Sequence, residues 1–212
     1  MKKAVFLDLG NVILKVNKDI ASNKITKLLH IGFKEAKKNI DWELEVKYET
    51  GQVSTDEYIH QLNQKFPNRN NTKVFNYENL CNIWEQAFAE ILETIKYLTE
   101  LQKSVNLYML SNTNEIHFHS INRPFNISRY FKKLILFYEV GLVKASKDIY
   151  QKALRICECQ PGNPYFIDDL AENVESATNV DINAMVYKNN NSYEKFIIRY
   201  SLLQSNSRQI DT

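Results

Sequence analysis

The sequence predicts an α/β fold, a three-layer Rossmann-like parallel sheet with a helical segment inserted near its start. Three observations carry this. Short apolar runs without alternation recur at residues 4–7, 105–110, 134–138, 165–167 and 184–187, which is how strands buried on both faces read. Amphipathic helical stretches separate them, so right-handed parallel crossovers are expected. Polar residues then follow the strand ends, at Asp8, Ser111-Asn112, Lys144 and Asp168-Asp169, where open sheets of this kind place their ligands.

The first strand, Ala4 to Leu7, ends in Asp8, and Gly10-Asn11 supplies a turn. From about residue 15 to 88 the apolar spacing is helical. Ile25, Leu28 and Leu29 mark one amphipathic segment, and Ile40, Leu44 and Tyr48 a second. Gly51 ends that helix, and Ser54-x-x-Glu57 reads as a capping box opening the next, with Tyr58, Leu62 and Phe66 on one face. Pro67 and the polar residues 68–72 close it, and Leu80, Ile83, Trp84 and Phe88 follow on a further helix. The expected division is a core of residues 1–14 and 89–212, with 15–88 as a helical cap.

In the core, a helix from Ala89 to Gln102 carries Ile91, Leu92, Ile95, Leu98 and Leu101, and leads into the strand Val105 to Leu110. The run Leu134 to Tyr138 gives another strand. A helix from Lys147 to Cys157 then presents Ile149, Ala153 and Ile156. Pro161-Gly162-Asn163-Pro164 is a turn into the strand Tyr165 to Ile167. A helix over Ala171 to Thr178, a strand Ala184 to Tyr187 and a last helix finish the fold, and the tail after about Gln204 is expected to fray.

Composition narrows the function. Of 212 residues, 44% are hydrophobic, enough for a sizeable core. Lys+Arg 27 against Asp+Glu 25 leaves a net charge of +2 without a basic patch, so neither nucleic acid nor an anionic membrane is indicated. No apolar run approaches a membrane span, and the first stretch holds Asp8 and Asn11, which a signal peptide would not. Cys81, Cys157 and Cys159 lack metal-type spacing and point to a reduced, cytoplasmic setting. Oligomeric state is left at monomer or homodimer. His30, His60, His117 and His119 are expected at the surface. Tyr48, Trp42 and Trp84 are expected in the packing of the insertion, from which they could reach a substrate.

Taken singly, each strand-end residue has a dull explanation: Ser111 or Thr113, Asp168 and Asp169 as helix caps, Lys144 as a solvated charge. Together at one sheet edge they read as one site. Three carboxylates brought together repel unless a cation joins them, and an all-oxygen donor set favours Mg²⁺. A lysine with Ser111 and Asn112 would bind a tetrahedral anion, chiefly phosphate. Asp8 is then placed as a nucleophile, giving an aspartyl-phosphate, while the cation and Lys144 neutralise phosphoryl charge.

These motifs resemble the haloacid dehalogenase-like superfamily of aspartate-nucleophile phosphatases. The resemblance rests on Phe6-Leu7-Asp8-Leu9-Gly10-Asn11-Val12, Leu110-Ser111-Asn112-Thr113, Lys144 ahead of Ile149-Tyr150, and Phe166-Ile167-Asp168-Asp169 with Asn173-Val174 behind. It spans essentially the whole chain, including the insertion with its Glu49-x-Gly51 turn. Within the superfamily the Asp-Leu-Gly-Asn-Val motif is similar to a bacterial branch that includes an α-glucose-1-phosphate phosphatase. The resemblance implies Asp8 and Lys144 as catalytic, and Ser111, Asn112 and Lys144 on phosphate. It implies a metal on Asp8, the Gly10 carbonyl and Asp169, with Asp168 direct or water-linked.

Two positions depart from the pattern. Most phosphatases of the superfamily carry a second Asp where this chain has Gly10, and that group protonates the leaving oxygen and then activates water. Its loss removes a contribution of about 10²–10⁴-fold, least felt by acidic leaving groups such as anomeric, aryl or acyl. Ala145 replaces the usual Pro after the lysine and bears on loop stiffness. The expected function is a Mg²⁺-dependent phosphomonoesterase acting on a small metabolite such as a sugar phosphate. A catalytically weak phosphate-binding or regulatory protein of the same fold is the alternative. A 2-haloacid dehalogenase ranks third, because it needs neither Mg²⁺ nor paired aspartates.

Overall fold

A computed structural model describes residues 2–32, 34, 42–66, 73–90 and 92–202, apart from the side chains of Trp42, Glu90 and Leu92. The expectations placed on Ile40, Pro67, residues 68–72, Ile91, the Trp42 side chain and the tail beyond 204 lie outside the described residues.

Five strands form one parallel sheet: β1 (Ala4–Leu7), β4 (Asn106–Ser111), β5 (Lys133–Leu136), β6 (Tyr165–Asp168) and β7 (Asn183–Val186), in the order β5-β4-β1-β6-β7. The strand with the least interrupted apolar sequence takes the centre. Val5 pairs with Leu107 on one side and Tyr165 on the other, and Phe6 with Tyr108 and Phe166. Alternate residues of β1 enter two different cores, because strand side chains point to opposite faces. Val5 and Leu7 join Met109, Ile167, Leu98, Leu101, Phe196 and Ile197. Ala4 and Phe6 join Leu110, Ile135, Phe166, Ile149, Ala153 and Ala177. The helices that cover these faces are α5 (Leu92–Ser104) and α10 (Asn190–Tyr200) on one side, α8 (Lys147–Ile156) and α9 (Ala171–Thr178) on the other.

The insertion carries α1 (Lys18–Leu29), α2 (Trp42–Glu49), α3 (Thr55–Lys65) and α4 (Tyr77–Glu85). Its stem is a short antiparallel pair that the sequence reading lacks: β2 (Leu14–Val16) against β3 (Phe88–Glu90). Three residues show no period, so Phe88 and Ala89 read as helix there. Other corrections are local. Leu28 is exposed rather than packed. The capping box before α3 is half present: the Ser54 hydroxyl accepts from the Glu57 amide, but the Glu57 carboxylate accepts from Gln61. The run Leu134 to Tyr138 is strand only to Leu136, and α7 (Phe137–Val140) then makes one helical turn closed by Gly141 at φ 70°.

The insertion packs on α6 (Glu115–Phe125), the helix that follows β4. Leu44, Tyr48, Tyr58, Phe75, Leu80 and Cys81 form its core together with Ile116 of α6. Tyr48 stacks on Tyr58 at 4.1 Å, and its hydroxyl accepts from the Ile116 amide at 3.2 Å. Thr55 donates to Glu115, and Arg123 of α6 reaches Glu78, Asn82 and Glu85 of α4. Three cysteines are free, Cys81 and Cys157 buried. Among the described residues no helix is long and apolar enough to cross a membrane.

The turn after α2 brings the insertion against the segment that follows β5. Gly51 has φ 69°, and a Cβ there would lie 2.2 Å from the Tyr138 carbonyl oxygen. Glycine is required on both counts. Gly51→Ala is therefore expected to cost about 1–3 kcal/mol of stability, from the left-handed conformation with the clash adding to it. A urea titration should show a lower midpoint at an unchanged slope.

Candidate functional site

The loops at the carboxyl ends of β1, β4 and β6 meet the segment between α7 and α8. The loop after β1 is curled by the Ile13 and Leu14 amides, both donating to the Leu9 carbonyl at 3.0 Å. Asn11 sits at φ 55°, a conformation asparagine tolerates. Thr94 of α5 holds the loop from outside, its hydroxyl donating to the Val12 carbonyl at 3.1 Å. Gly10 is not forced by this backbone: its φ is ordinary, and a Cβ would meet nothing nearer than Val16 Cγ2 at 3.6 Å.

At the centre is one cation between two acids. Lys144 Nζ donates to Asp8 Oδ1 at 2.5 Å and to Asp168 Oδ2 at 2.7 Å, with all three side chains nearly sealed from solvent. Asp168, fully buried, also uses its other oxygen: Oδ1 accepts from the Leu170 amide and from Asn173 Nδ2, each at 2.9 Å. Tyr150 of α8 steadies Asn173 in turn, donating to its carbonyl at 2.9 Å. Burial raises the Asp8 pKa, with the Asp168 charge adding and Lys144 opposing. Burial alone would lower that of Lys144, but the two carboxylates outweigh it and hold the ammonium firmly charged.

Asp169 is half-buried beside them, and its Oδ2 accepts from Asn11 Nδ2 at 3.1 Å, which ties the β1 loop to the β6 loop. Asp8, Asp168 and Asp169 each offer an oxygen within 4.8 Å of the others. Three acids against one lysine leave negative charge uncompensated, and a hard cation fits an all-oxygen group of this kind. Ser111 is buried at the end of β4. Asn112 turns its amide onto the backbone of Lys144, Oδ1 accepting from the Lys144 amide and Nδ2 donating to its carbonyl. Of the candidate helix caps, neither Ser111 nor Thr113 caps α6; Asn114 does, accepting from the His117 amide at 2.8 Å.

All the strand-end residues except the buried Asp168 line one cavity of about 270 Å³. Asp8, Gly10, Ser111, Asn112, Lys144 and Asp169 form its floor, and Lys18, Glu49, Trp84, Phe88 and His117 also line it. His117 overturns the surface expectation. It is half-buried, with its ring centroid 3.9 Å from that of Trp84 and 6.1 Å from that of Phe88. Burial, with Lys18 adding, pushes its pKa down to about 3, so it is neutral. A signal was available: His117 lies in the first turn of the helix that leaves a strand-end loop, which faces the same edge as the site. His119 is exposed and touches Tyr77 edge-on, and His30 and His60 are exposed. Lys18 and Glu49 carry no such signal, since their place depends on how the insertion docks.

The buried ion triplet allows a direct check. Removing one partner of a buried pair leaves an uncompensated charge and costs about 3–5 kcal/mol. Lys144→Met should lose that much in denaturant unfolding in chelator-containing buffer.

The chain is similar to known proteins in sequence and in fold. A D-ribitol-5-phosphate phosphatase of Bacteroides thetaiotaomicron is 28% identical over 187 residues, 82% of this chain and 86% of the relative. A HAD family enzyme of the same organism, solved with magnesium and inorganic phosphate, superposes with a TM-score of 0.77 at 20% identity, over 89% of this chain and 95% of that one. An HAD-like hydrolase of Porphyromonas gingivalis gives 0.74 at 23% identity, over 96% and 100%. The family model for a hydrolase, haloacid dehalogenase-like hydrolase, matches residues 2–181, and the chain belongs to that family.

Proposed function

We propose that this hydrolase is a Mg²⁺-dependent phosphomonoesterase acting on a small phosphorylated metabolite, a sugar or sugar-alcohol phosphate, through an aspartyl-phosphate on Asp8. The observation that carries the reading is Lys144 held between Asp8 and Asp168 on the floor of a cavity, with Asp169 alongside. Residues 15–88 act in it as a cap over a core of residues 1–14 and 89–212. The metal would be held by Asp8, the Gly10 carbonyl and Asp169. Asp168, whose two oxygens already accept three hydrogen bonds, contributes through Lys144 or a bridging water. Bound there, Mg²⁺ would supply charge neutralisation for the phosphoryl oxygens.

The chain's own groups do the rest. Asp8 attacks phosphorus. Lys144, kept charged by its two acids, offers its ammonium to a phosphoryl oxygen as negative charge spreads over them. The Ser111 hydroxyl donates to a second oxygen. Asn112 holds the Lys144 backbone in register, and its own amide borders the phosphate position. The polar wall of Lys18 and Glu49 suits a hydroxylated leaving group. A relative that acts on D-ribitol-5-phosphate supports the polyol end of the range over the glucose-1-phosphate branch.

The test is turnover of p-nitrophenyl phosphate and of a panel of sugar and polyol phosphates, with Mg²⁺ and with chelator. Hydrolysis should need Mg²⁺ and fall to background in Asp8→Asn, with circular dichroism showing that the variant is still folded. Asp169→Ala should raise the Mg²⁺ requirement at least about tenfold. Phosphate binding without turnover would favour the binding-protein reading, and release of halide from a 2-haloacid the dehalogenase.

A further inference from the structure

We infer that Glu49 is the acid that protonates the departing oxygen of the substrate, and afterwards the base that activates water. This rests on the phosphoryl transfer to Asp8 proposed above. In such a transfer the attacking and leaving oxygens lie in line. Asp8 lines a cavity whose lining also includes residues of the insertion, so a group from the insertion can meet the leaving oxygen.

No acid on the floor is free to meet it. Asp8 is the attacking group. Asp168 is fully buried with both oxygens taken. Asp169 accepts from Asn11 and belongs to the cation cluster. Gly10 has no side chain. The insertion brings Lys18, Glu49 and, across its interface, His117 to the same cavity. His117 is neutral at working pH and has no proton to spare as an acid. Glu49 is the carboxylate among them, and among the described residues no hydrogen bond or ion pair takes it up.

Its position is also fixed. Glu49 is the last residue of α2, between Tyr48, which accepts from the Ile116 amide, and the Gly51 turn set against the Tyr138 carbonyl. Burial lifts its pKa above the ordinary carboxylic range, with the Lys18 charge opposing. The titratable groups around it are Lys18 of α1, Tyr58 of α3 and His117 of α6.

The step balances without a co-reactant. As Asp8 Oδ bonds to phosphorus, the bond from phosphorus to the ester oxygen breaks and that oxygen takes the proton of Glu49, leaving as an alcohol. The Glu49 carboxylate then takes a proton from water as the water oxygen attacks phosphorus. Inorganic phosphate leaves, and Asp8 and protonated Glu49 are restored. The position of Glu49 thus answers the missing carboxylate at residue 10, and frees the chain from the preference for acidic leaving groups that Gly10 implies. A primary alkyl ester such as D-ribitol-5-phosphate has a leaving group that needs this proton.

The experiment compares wild type, Glu49→Gln and Asp8→Asn on p-nitrophenyl phosphate and on an alkyl polyol phosphate with Mg²⁺. Glu49→Gln should lower kcat on the alkyl ester about 10²–10⁴-fold with KM little changed. On p-nitrophenyl phosphate it should keep a rapid burst of phenolate followed by slow turnover, since only the second step needs the base. The fall of wild-type kcat/KM on the alkyl ester at high pH should disappear in the variant. A Glu49→Gln protein that raises KM alone, or slows the burst and the alkyl ester equally, overturns the proposal. So does turnover abolished by Asp8→Asn but indifferent to Glu49→Gln, which leaves the Asp8 reading standing. Turnover that survives Asp8→Asn overturns both.

Discussion

A single ammonium shared by two buried carboxylates is the constraint on which the site depends. Two acids at the ends of neighbouring strands β1 and β6 could not both stay charged in that surrounding without it, and Lys144 reaches both at hydrogen-bond distance. The arrangement is asymmetric. Asp168 is saturated by Lys144, Leu170 and Asn173 and so acts as a fixed anchor. Asp8 sits at the cavity and shares the same lysine. The interaction therefore holds the lysine at the cavity, between an anchored Asp168 and an Asp8 that lines the same cavity. Its supports run outward through Asn112 on the Lys144 backbone and Tyr150 on Asn173. A long lysine side chain is thereby kept in one geometry before any ligand arrives.

The second constraint is how the insertion is seated. Its helices share a core with Ile116, and polar contacts from Tyr48, Thr55 and Arg123 run to or from α6. Since α6 begins a few residues after Ser111, the same loop that follows β4 fixes both the Ser111-Asn112 side of the cavity and the platform for the insertion. Gly51 against Tyr138 adds a backbone contact with no slack. The wall with Lys18, Glu49 and Trp84 is thus referenced to the sheet edge through short paths, which is what a reaction sensitive to distances of about 1 Å requires.

What the sequence made legible follows from how local each signal is. The central strands, their order of use and the residues at their ends were readable, because a run such as Ala4 to Leu7 followed by Asp8 carries strand, burial and position within a few residues. Helix α9 matched to the residue, since the apolar spacing that marks it lies within a few residues. The β2/β3 stem was not readable: three-residue strands have no period, and their pairing joins positions more than seventy residues apart. The hold of the Asn112 amide on the Lys144 backbone was likewise not readable, because it joins positions 32 residues apart. His117 was misread because helical spacing alone could not say that Trp84 and Phe88 would close over it.

The contrast between Gly10 and Gly51 shows how far a glycine can be interpreted. At Gly51 the left-handed φ and the Tyr138 carbonyl exclude any side chain, so the residue is explained by backbone geometry. At Gly10 the conformation is ordinary and a Cβ has room. Geometry does not demand glycine there, so the absence of a carboxylate is a chemical feature of the chain rather than the by-product of a turn. On the proposed function, a site that keeps Asp8, Lys144 and the acidic cluster together would then either forgo acid catalysis or draw it from elsewhere. The cavity wall contains a half-buried carboxylate with a raised pKa, two residues before a glycine that the backbone does require. On the role proposed for Glu49 the two glycines are linked: one leaves a proton donor to be supplied, and the other sets the turn beside the residue proposed to supply it.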